Sequence, residues 1–402
     1  MPPAWSRPDV ASRRRLTVDR ADSWARALRC SAGESEAPLD RRAGLSPAGA
    51  PWLVDYRLDP ATGAAWRRRL RGRSWSLWRY RELLPLADFE RRVDLGEGGT
   101  PLVPLYRSAP PEVTVWIKDE AGNPSGSFKD RGLSLAVNRA RELGAGGVQL
   151  ASAGNAALAL SAYAAASGLP ARVALPADTP ETVARRCRAY GAEVLTAPGT
   201  LLDAARRLED GDGRFWTLAT FREPYRVEGK KTMLLEVAEQ LDWTLPDWLV
   251  FPTGGGTGVV AMHKAFVELE GLGLVSGPPP RIAAVQMAGC APLVRAYEEG
   301  RKRVTPWPDP ETRAWGLRVP QSLGDRLVLA ALEATGGAAL AVPEERIEGM
   351  RRRLAQREGR LVGPEGAAAM LGLEALADRG LVSAGQRVVV FQTGHPANYG
   401  LA

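Results

Sequence analysis

Residues 148–175 read VQLASAGNAALALSAYAAASGLPARVAL and contain a complete strand–helix–strand pattern. The short apolar run at 148–152 predicts a buried strand, the Ala-rich run at 156–167 predicts a helix, and residues 171–175 predict a second strand. Two short apolar runs joined by a helix are typical of a βαβ unit, in which both strands lie parallel in one sheet. The stretch therefore predicts an α/β fold.

The same alternation continues towards the C-terminus. Strands are predicted at 193–196, 215–219, 248–251, 281–286, 339–342 and 387–391, and helices at 181–190, 201–208, 231–241, 259–270, 344–358 and 366–376. Residues 289–324 carry many Pro and Trp residues, and the first 60 residues have no clear periodicity, so both are predicted to be mostly irregular. The pattern predicts a small α/β domain at 141–225 and a larger one formed by 61–140 and 226–402.

Composition narrows the class of protein. The chain has 402 residues, 45% of them apolar, which suffices for two or three domains with large cores. No apolar run reaches the roughly 20 residues of a membrane helix. Residues 1–20 are rich in Arg and lack an apolar stretch, so no secretory signal is predicted. The formal charge of +7 comes mostly from arginines spread along the chain, and no nucleic-acid motif accompanies them, so no nucleic-acid partner is expected.

Cysteine and histidine are scarce. Cys30, Cys187 and Cys290 are far apart in sequence, and there are only two histidines. This pattern does not predict a disulfide framework or a metal site, and it favours residence in the cytoplasm.

A polar turn at residues 123–132 reads NPSGSFKDRG and leads into a predicted helix, with Lys129 near the helix N-terminus. The helix dipole disfavours a cation at that end, so the pKa of this lysine should be low. A lysine with a lowered pKa can act as an amine nucleophile or as a base. A solvated surface lysine is the alternative, which these residues alone leave open.

A glycine loop, residues 254–258, lies between a predicted strand and a predicted helix and reads GGGTG. Glycines allow backbone N–H groups to converge on an anion at a helix N-terminus, so the loop predicts a phosphate site. The spacing of a dinucleotide-binding turn is absent, and the segment at 224–232 fails as a P-loop because Lys231 stands where Ser or Thr is required. A plain flexible turn remains the alternative.

Two more polar segments follow predicted strands. Asn155 lies between a strand and a helix, where it could contact a planar ligand or cap the helix. Thr393 follows the last strand and could hydrogen-bond a ring nitrogen or cap a turn. In open α/β sheets the ligand site lies at the carboxyl ends of the strands, which favours the ligand interpretation without deciding it.

In this order the segments resemble the fold-type II pyridoxal-phosphate (PLP) enzymes, and threonine synthases most closely. The resemblance begins with WRYRELLP at 78–85, continues through LGEGGTPL at 95–102, and ends with TGH at 393–395, about four fifths of the chain. It implies two three-layer α/β/α domains with the cofactor in the cleft between them. The SFKDRG run around Lys129 and the order of the motifs carry the resemblance.

The resemblance also implies roles for individual residues. Lys129 would hold PLP as a Schiff base and would then shuttle protons at the substrate's Cα and Cβ. Asn155 would contact the 3′ oxygen of the ring, and Thr393 the pyridine nitrogen. A hydroxyl at that nitrogen would leave it unprotonated, as is typical of elimination and replacement enzymes. The cofactor phosphate would be held by Gly254, Gly255, Gly256, Thr257 and Gly258.

A threonine synthase converts O-phospho-L-homoserine and water to L-threonine and phosphate, which requires a second anion site. Lys118, Ser152 and Arg226 are the candidates for that site, and the resemblance implies a homodimer. Several positions depart from the family pattern. The family often has Thr at Ala156, an Asn-Ser pair at Thr220 and Phe221, and a neutral residue at Glu365. These changes remove phosphate donors and put the substrate, though not the cofactor, in question.

The N-terminal arm, residues 1–60, resembles at 28–31 and 51–56 the four-cysteine zinc ribbon that precedes some relatives. Only Cys30 remains of the four ligands, and one thiol cannot form a tetrahedral site. The arm is therefore expected to be a decayed ribbon without metal, or else an unrelated disordered arm.

Two alternatives for the function remain open at this point. One is a threonine or serine ammonia-lyase, or a β-replacement enzyme of specialised metabolism. The other is a non-catalytic relative that binds PLP.

Overall fold

The computed structural model describes residues 23–208 and 213–400, so the prediction made for residues 1–20 lies outside the described residues. In the part that is described, no helix combines the length and the apolar character needed to cross a membrane. The strands are β1 (Ala25–Cys30), β2 (Glu36–Ala37), β3 (Trp52–Tyr56), β4 (Leu102–Pro104), β5 (Thr114–Asp119), β6 (Gly147–Ala151), β7 (Ala171–Pro176), β8 (Glu193–Ala197), β9 (Phe215–Thr217), β10 (Trp248–Pro252), β11 (Arg281–Met287), β12 (Ala338–Val342) and β13 (Arg387–Gln392).

Helices separate most of these strands. They are α1 (Pro60–Leu70), α2 (Lys129–Glu142), α3 (Asn155–Ser167), α4 (Glu181–Ala189), α5 (Leu201–Arg206), α6 (Tyr225–Gln240), α7 (Thr257–Gly271), α8 (Pro292–Glu298), α9 (Asp325–Ala334), α10 (Ile347–Glu358) and α11 (Pro364–Asp378). Short 3-10 turns occur at Leu77–Leu83, Glu120–Gly122, Trp315–Leu317, Glu344–Arg346 and Pro396–Tyr399.

The larger sheet has six strands in the order β12-β11-β10-β13-β5-β4. Every pair is parallel except β4 with β5 at the edge. Its inner strand β10 is apolar along its whole length, and all five of its residues are buried. Continuous apolar runs are what a parallel sheet covered on both faces requires.

The smaller sheet has four parallel strands in the order β8-β7-β6-β9. Helix α3 connects β6 to β7, as residues 148–175 predict, and the predicted ends of these elements agree with the structure to within one residue. Ten of the 13 residues of α3 are buried, because small Ala side chains let it pack against both the sheet and α2. The predicted α/β fold is confirmed.

Two predictions of local structure need correction. Residues 225–230 are helical, because the Glu223 carboxylate accepts hydrogen bonds from the backbone N–H groups of Tyr225 and Arg226 and so starts α6 six residues before position 231. Residues 289–324 are mostly irregular, as predicted, apart from the seven-residue α8 and the short turn at Trp315–Leu317.

The described part of the first 60 residues, from residue 23, contains a regular sheet that was not predicted. From Ala25 to Tyr56 the chain forms an antiparallel sheet in the order β2-β1-β3. Cys30 Sγ donates a hydrogen bond to Ser46 Oγ at 3.1 Å, and the backbone N–H of Ala32 donates to the same sulfur at 3.4 Å. Within residues 23–208 and 213–400, no group of three or more His, Cys, Asp and Glu side chains is placed to hold a metal ion.

The arm packs against the helices that carry the site residues. Tyr56 Oη, at the end of β3, donates to Glu228 of α6 at 2.9 Å. The carbonyl of Leu39 accepts from the Arg139 guanidinium of α2 at 2.5 Å. The described part of the arm is thus held against α2 and α6.

A buried ion network joins α2 to α6. The Arg131 guanidinium donates to both oxygens of Glu120, at 2.6 and 2.8 Å, and to both oxygens of Glu236, at 2.6 and 2.7 Å. Lys118 Nζ donates to Glu236 Oε2 at 2.7 Å. All four side chains are fully buried. Burial alone would raise the pKa of Glu236, but Arg131 and Lys118 lower it well below its usual range.

We expect Glu236→Gln to lower the free energy of unfolding by about 3–5 kcal/mol, because it leaves two buried cations with one carboxylate between them. The matched control is Glu333→Gln, which breaks the exposed pair with Lys302 and should cost less than about 1 kcal/mol. Urea unfolding followed by circular dichroism measures both. Equal losses for the two variants would contradict the role given to the network.

Candidate active site

A pocket of about 390 Å³ lies at the carboxyl ends of β10 and β13, where α7 begins. This is the position at which parallel sheets bind ligands. It is lined by Phe128, Lys129, Asn155, Phe251, Pro252, Thr253, Gly254, Gly255, Gly256, Thr257, Gly258, Gly316, Leu317, Glu365 and Thr393. The structure therefore brings together the predicted amine, glycine loop, amide and hydroxyl, which are far apart in sequence.

Lys129 is held at the pocket by its neighbours in the SFKDRG run. The backbone N–H of Phe128 donates to the carbonyl of Thr393 at 3.0 Å, which fixes the start of α2 beside the end of β13. Asp130 accepts from the backbone N–H of Ser125 at 2.7 Å and from the Ser125 hydroxyl, which closes the turn before the helix. Arg131 belongs to the buried ion network. Phe128 and Asp130, on either side of Lys129, thus fix the turn that presents the amine, and Arg131 fixes the helix that follows it.

The environment of Lys129 favours its neutral form. Burial lowers the pKa of its ammonium to about 7, the Arg226 guanidinium contributes to the decrease, and the Glu365 carboxylate opposes it. The nearest aromatic ring is that of Phe128, whose centroid lies 4.1 Å from Lys129 Nζ. At neutral pH a substantial fraction of this amine is unprotonated and therefore nucleophilic.

The glycine loop is shaped by its lack of side chains. Gly256 has φ = +80°, a conformation that other residues rarely adopt, and it forms the N-cap of α7. A Cβ at Gly254 would lie 2.4 Å from the carbonyl oxygen of Gly316. The N-terminus of α7 has no side-chain cap and no acidic residue in its first turn. Its free N–H groups and the helix dipole therefore favour an anion at this loop.

Asn155 and Thr393 lie on the sides of the pocket. Asn155 Oδ1 accepts from Asn398 Nδ2 at 2.6 Å, so its own Nδ2 group remains to donate to a ligand. Thr393 is 4% exposed, and its backbone carbonyl is the acceptor for Phe128. Asn398 also donates to the carbonyls of Ser125 and Gly126, and so ties the turn before Lys129 to α3.

Sequence reasoning did not identify Asn398, which belongs to no motif and acts only through its position in the fold. Glu365 was noted only as a departure from the family pattern. The structure makes it the one carboxylate among the pocket-lining residues described, with its oxygen accepting from the backbone N–H of Gly316 at 2.9 Å. Burial raises the pKa of Glu365, and Lys129 opposes that increase.

Lys118 does not reach the pocket, which corrects its assignment to the substrate site. Its ammonium donates to the carbonyl of Thr100 at 2.8 Å, to Glu236 at 2.7 Å and to Gln240 at 2.9 Å. These three bonds use all of its N–H groups. Lys118 is therefore a structural member of the buried ion network.

Ser152 and Arg226 lie near the site but do not line it. Ser152 Oγ accepts from the backbone N–H of Gly154 at 3.2 Å, at the carboxyl end of β6. Arg226 is 2% exposed and donates to the carbonyl of Leu218 at 2.9 Å, while its Nε has no partner among the described residues. A buried guanidinium with an unused N–H group is suited to an anion, so the roles of Ser152 and Arg226 in substrate binding stay predictions.

The positions that depart from the family pattern also lie close to the pocket. Ala156 is buried in the first turn of α3, next to Asn155. The Thr220 methyl group would lie 3.2 Å from a Cβ at Gly255, so it covers the glycine loop. Phe221 is buried with φ = +60°, an unusual conformation for a bulky residue. The changes are thus at the site and not on the distant surface.

The residues present fit PLP. Its aldehyde requires an amine that is neutral near pH 7, which Lys129 provides. Its phosphate requires converging N–H groups without side chains in the way, which the glycine loop provides. Its ring requires polar groups on its edges, and Asn155 and Thr393 line the pocket and would supply them.

In the cofactor-free protein, we expect an amine reagent to label Lys129 with a half-maximal rate near pH 7. Glu365→Gln should move this midpoint to lower pH, because it removes the carboxylate that raises the pKa of Lys129. Arg226→Met should move the midpoint to higher pH, because the substitution removes a cation that lowers the pKa of Lys129. Peptide mass spectrometry measures the labelling, with the exposed Lys302 as internal reference. Shifts in the opposite directions would contradict this electrostatic account.

Comparison with known proteins agrees with this site. Residues 93–394 match the family model described as pyridoxal-phosphate dependent enzyme. The threonine synthase of Methanocaldococcus jannaschii is 36% identical over 335 residues, 81% of this chain and 82% of the relative. That of Methanosarcina acetivorans is 36% identical over 350 residues, 85% of each chain.

Solved structures show the same fold. Maize serine racemase superposes with a TM-score of 0.63 at 19% identity, covering 84% of this chain and 94% of that chain. An L-serine ammonia-lyase from Rhizomucor miehei gives a TM-score of 0.62 at 23% identity, covering 73% and 93%. The fold-type II class and the cofactor predicted from the sequence are confirmed, and the chain belongs to the family of pyridoxal-phosphate dependent enzymes, in which it is a relative of threonine synthases.

Proposed function

We propose that this enzyme is a threonine synthase that converts O-phospho-L-homoserine and water to L-threonine and inorganic phosphate. The observation that carries the proposal is the joining of all the PLP-site motifs in one pocket, in a chain 36% identical to a threonine synthase over 81% of its length. The reaction removes phosphate from the substrate's γ-carbon and adds a hydroxyl at its β-carbon, so it needs proton transfer at more than one carbon.

When bound, PLP supplies an electron-withdrawing ring that stabilises negative charge on the carbons next to the substrate's amino group. The protein supplies the rest. The Lys129 amine would hold the cofactor and would accept and donate protons at the substrate's carbons. Its pKa of about 7 suits both directions of transfer at neutral pH. The Thr393 hydroxyl would hydrogen-bond the ring nitrogen without adding a charge there.

The substrate's phosphate needs a second cationic site, separate from the glycine loop. Arg226 fits this role because its buried Nε has no hydrogen-bond partner among the described residues and its charge is close enough to lower the pKa of Lys129. Ser152 directly follows β6 and provides a hydroxyl three residues before the start of α3. We assign both to substrate binding.

The departures at Ala156, Phe221 and Glu365 favour a second candidate, an ammonia-lyase that acts on threonine or serine. Compared with the family pattern, the site lacks two hydroxyl or amide donors and has an additional carboxylate. Both changes disfavour a doubly charged phosphate in the pocket. The retained Arg226 argues for the phosphorylated substrate.

Purified enzyme with PLP should release phosphate from O-phospho-L-homoserine in a 1:1 ratio to threonine. Release of a keto acid and ammonia from threonine or serine, without phosphate release, would replace the first candidate by the second.

Lys129→Ala should lose about 10³-fold or more in rate, and borohydride should no longer fix the cofactor to the protein. No turnover with any of these amino acids would favour a non-catalytic PLP-binding relative.

We also propose that the enzyme is a homodimer and that it resides in the cytoplasm. Light scattering on the same preparation tests the homodimer, and cell fractionation tests the location.

Arg226→Met should raise KM for O-phospho-L-homoserine by about tenfold or more, which corresponds to roughly 1.4 kcal/mol of lost binding. Arg226→Lys keeps the charge and should recover part of the loss. An unchanged KM in Arg226→Met would remove this residue from the substrate site.

A further inference from the structure

Lys230 differs from the other fully buried lysines of the described structure. Lys118 is paired with Glu236 at 2.7 Å, and Lys231 is paired with Glu228 at 2.7 Å and with Glu268 at 2.6 Å. Lys230 is 0% exposed, yet no carboxylate of the described residues lies within 4.0 Å of its Nζ.

The only hydrogen bond recorded for its ammonium among those residues goes to the Thr257 hydroxyl. Thr257 is the first residue of α7 and follows the three glycines of the glycine loop. The ring of Phe128 is a second neighbour, and its centroid lies 4.9 Å from Lys230 Nζ and 4.1 Å from Lys129 Nζ. The Lys230 side chain thus extends from α6 to Thr257, which lines the pocket at the glycine loop.

Charges around Lys230 do not balance within the protein. Arg226 and Lys129 both act on it as cations, and Glu223 is the one carboxylate that opposes them. Burial, Arg226 and Lys129 together lower the pKa of Lys230 well below its usual range. A buried ammonium without a counterion is costly, so this position is stable as a cation only when an anion joins it.

The site around Thr257 is suited to such an anion. Helix α7 begins at Thr257 without a side-chain cap, and Thr257 lines the same pocket as the three glycines before it. Backbone N–H groups neutralise only part of a phosphate monoester dianion, whereas an ammonium one hydrogen bond away adds a full positive charge.

We propose that Lys230 is a cofactor-binding residue, the cation that pairs with the phosphate dianion of PLP on the glycine loop. The pairing explains why a lysine is tolerated in the buried interior of α6 with no carboxylate beside it. It rests on the cofactor assignment alone and holds whichever substrate the enzyme uses.

The test compares PLP with pyridoxal, which has the same aldehyde and ring but no phosphate. Cofactor is removed from the full-length enzyme with hydroxylamine, and the Kd of each compound is measured by absorbance titration for the parent, Lys230→Gln and Lys230→Arg. Lys230→Gln should raise the Kd of PLP by about tenfold or more and should change the Kd of pyridoxal by less than about twofold. Lys230→Arg keeps the charge and should bind PLP more tightly than Lys230→Gln.

Two outcomes would overturn the proposal. Equal losses for PLP and pyridoxal would mean that Lys230 only supports the fold. An unchanged preference for PLP over pyridoxal, together with a raised KM for O-phospho-L-homoserine, would mean that Lys230 binds the substrate's phosphate instead. Circular dichroism checks folding, and Lys230→Met, which suits apolar surroundings, repeats the test if the Gln variant does not fold. Failure of threonine synthase activity in the parent enzyme would leave the PLP and pyridoxal comparison intact.

Discussion

The ion network around Arg131 holds together the two helices on which the active site depends. Its four charges, from Arg131, Lys118, Glu120 and Glu236, are enclosed without water contact and sum to zero. The guanidinium uses its fork of N–H groups on two carboxylates at once, a geometry that fixes direction as well as distance. Because α2 begins with Lys129 and α6 carries Arg226 and Lys230, the network sets how the three cations of the site face one another.

The cations at the site show the opposite arrangement. In the network every charge has a protein partner, whereas at the pocket the described carboxylates do not neutralise Lys129, Arg226 and Lys230. The positive charge that remains is suited to anionic ligands, and it also keeps the Lys129 amine partly neutral. Stability and reactivity are therefore separated along the same two helices: paired charges at one set of positions, unpaired charges at another.

Most of the fold and the core of the site could be predicted from the sequence, because they follow from local patterns. The βαβ run, the glycine loop and the turn before Lys129 each have a signature within a few residues. The predictions that failed concern residues whose roles depend on contacts between distant parts of the sequence. Lys118 reads as a polar residue near the site, and only its pairing with Glu236, 118 positions away, shows that its N–H groups are occupied. The roles of Asn398 and Lys230 likewise depend on residues that are distant in sequence but close in space. The ordered sheet of the arm was missed because its strands are short and its loops are rich in Gly and Pro.

The contact between Tyr56 and Glu228 joins residues 172 positions apart, and this separation bears on how the protein is made. A nascent chain leaves the ribosome from its N-terminus, so the small sheet at Ala25–Tyr56 emerges long before the helix it rests on has been translated. The apolar face of this sheet cannot pack against α6 during that interval, because the helix has not yet been made. Helix α6, in turn, gains the hydrogen bond from Tyr56 to its Glu228 carboxylate only when that sheet docks on it, although Lys231 of the same helix already pairs with the carboxylate. The order of synthesis therefore makes assembly of the cofactor cleft a late event, in which a segment made much earlier takes part.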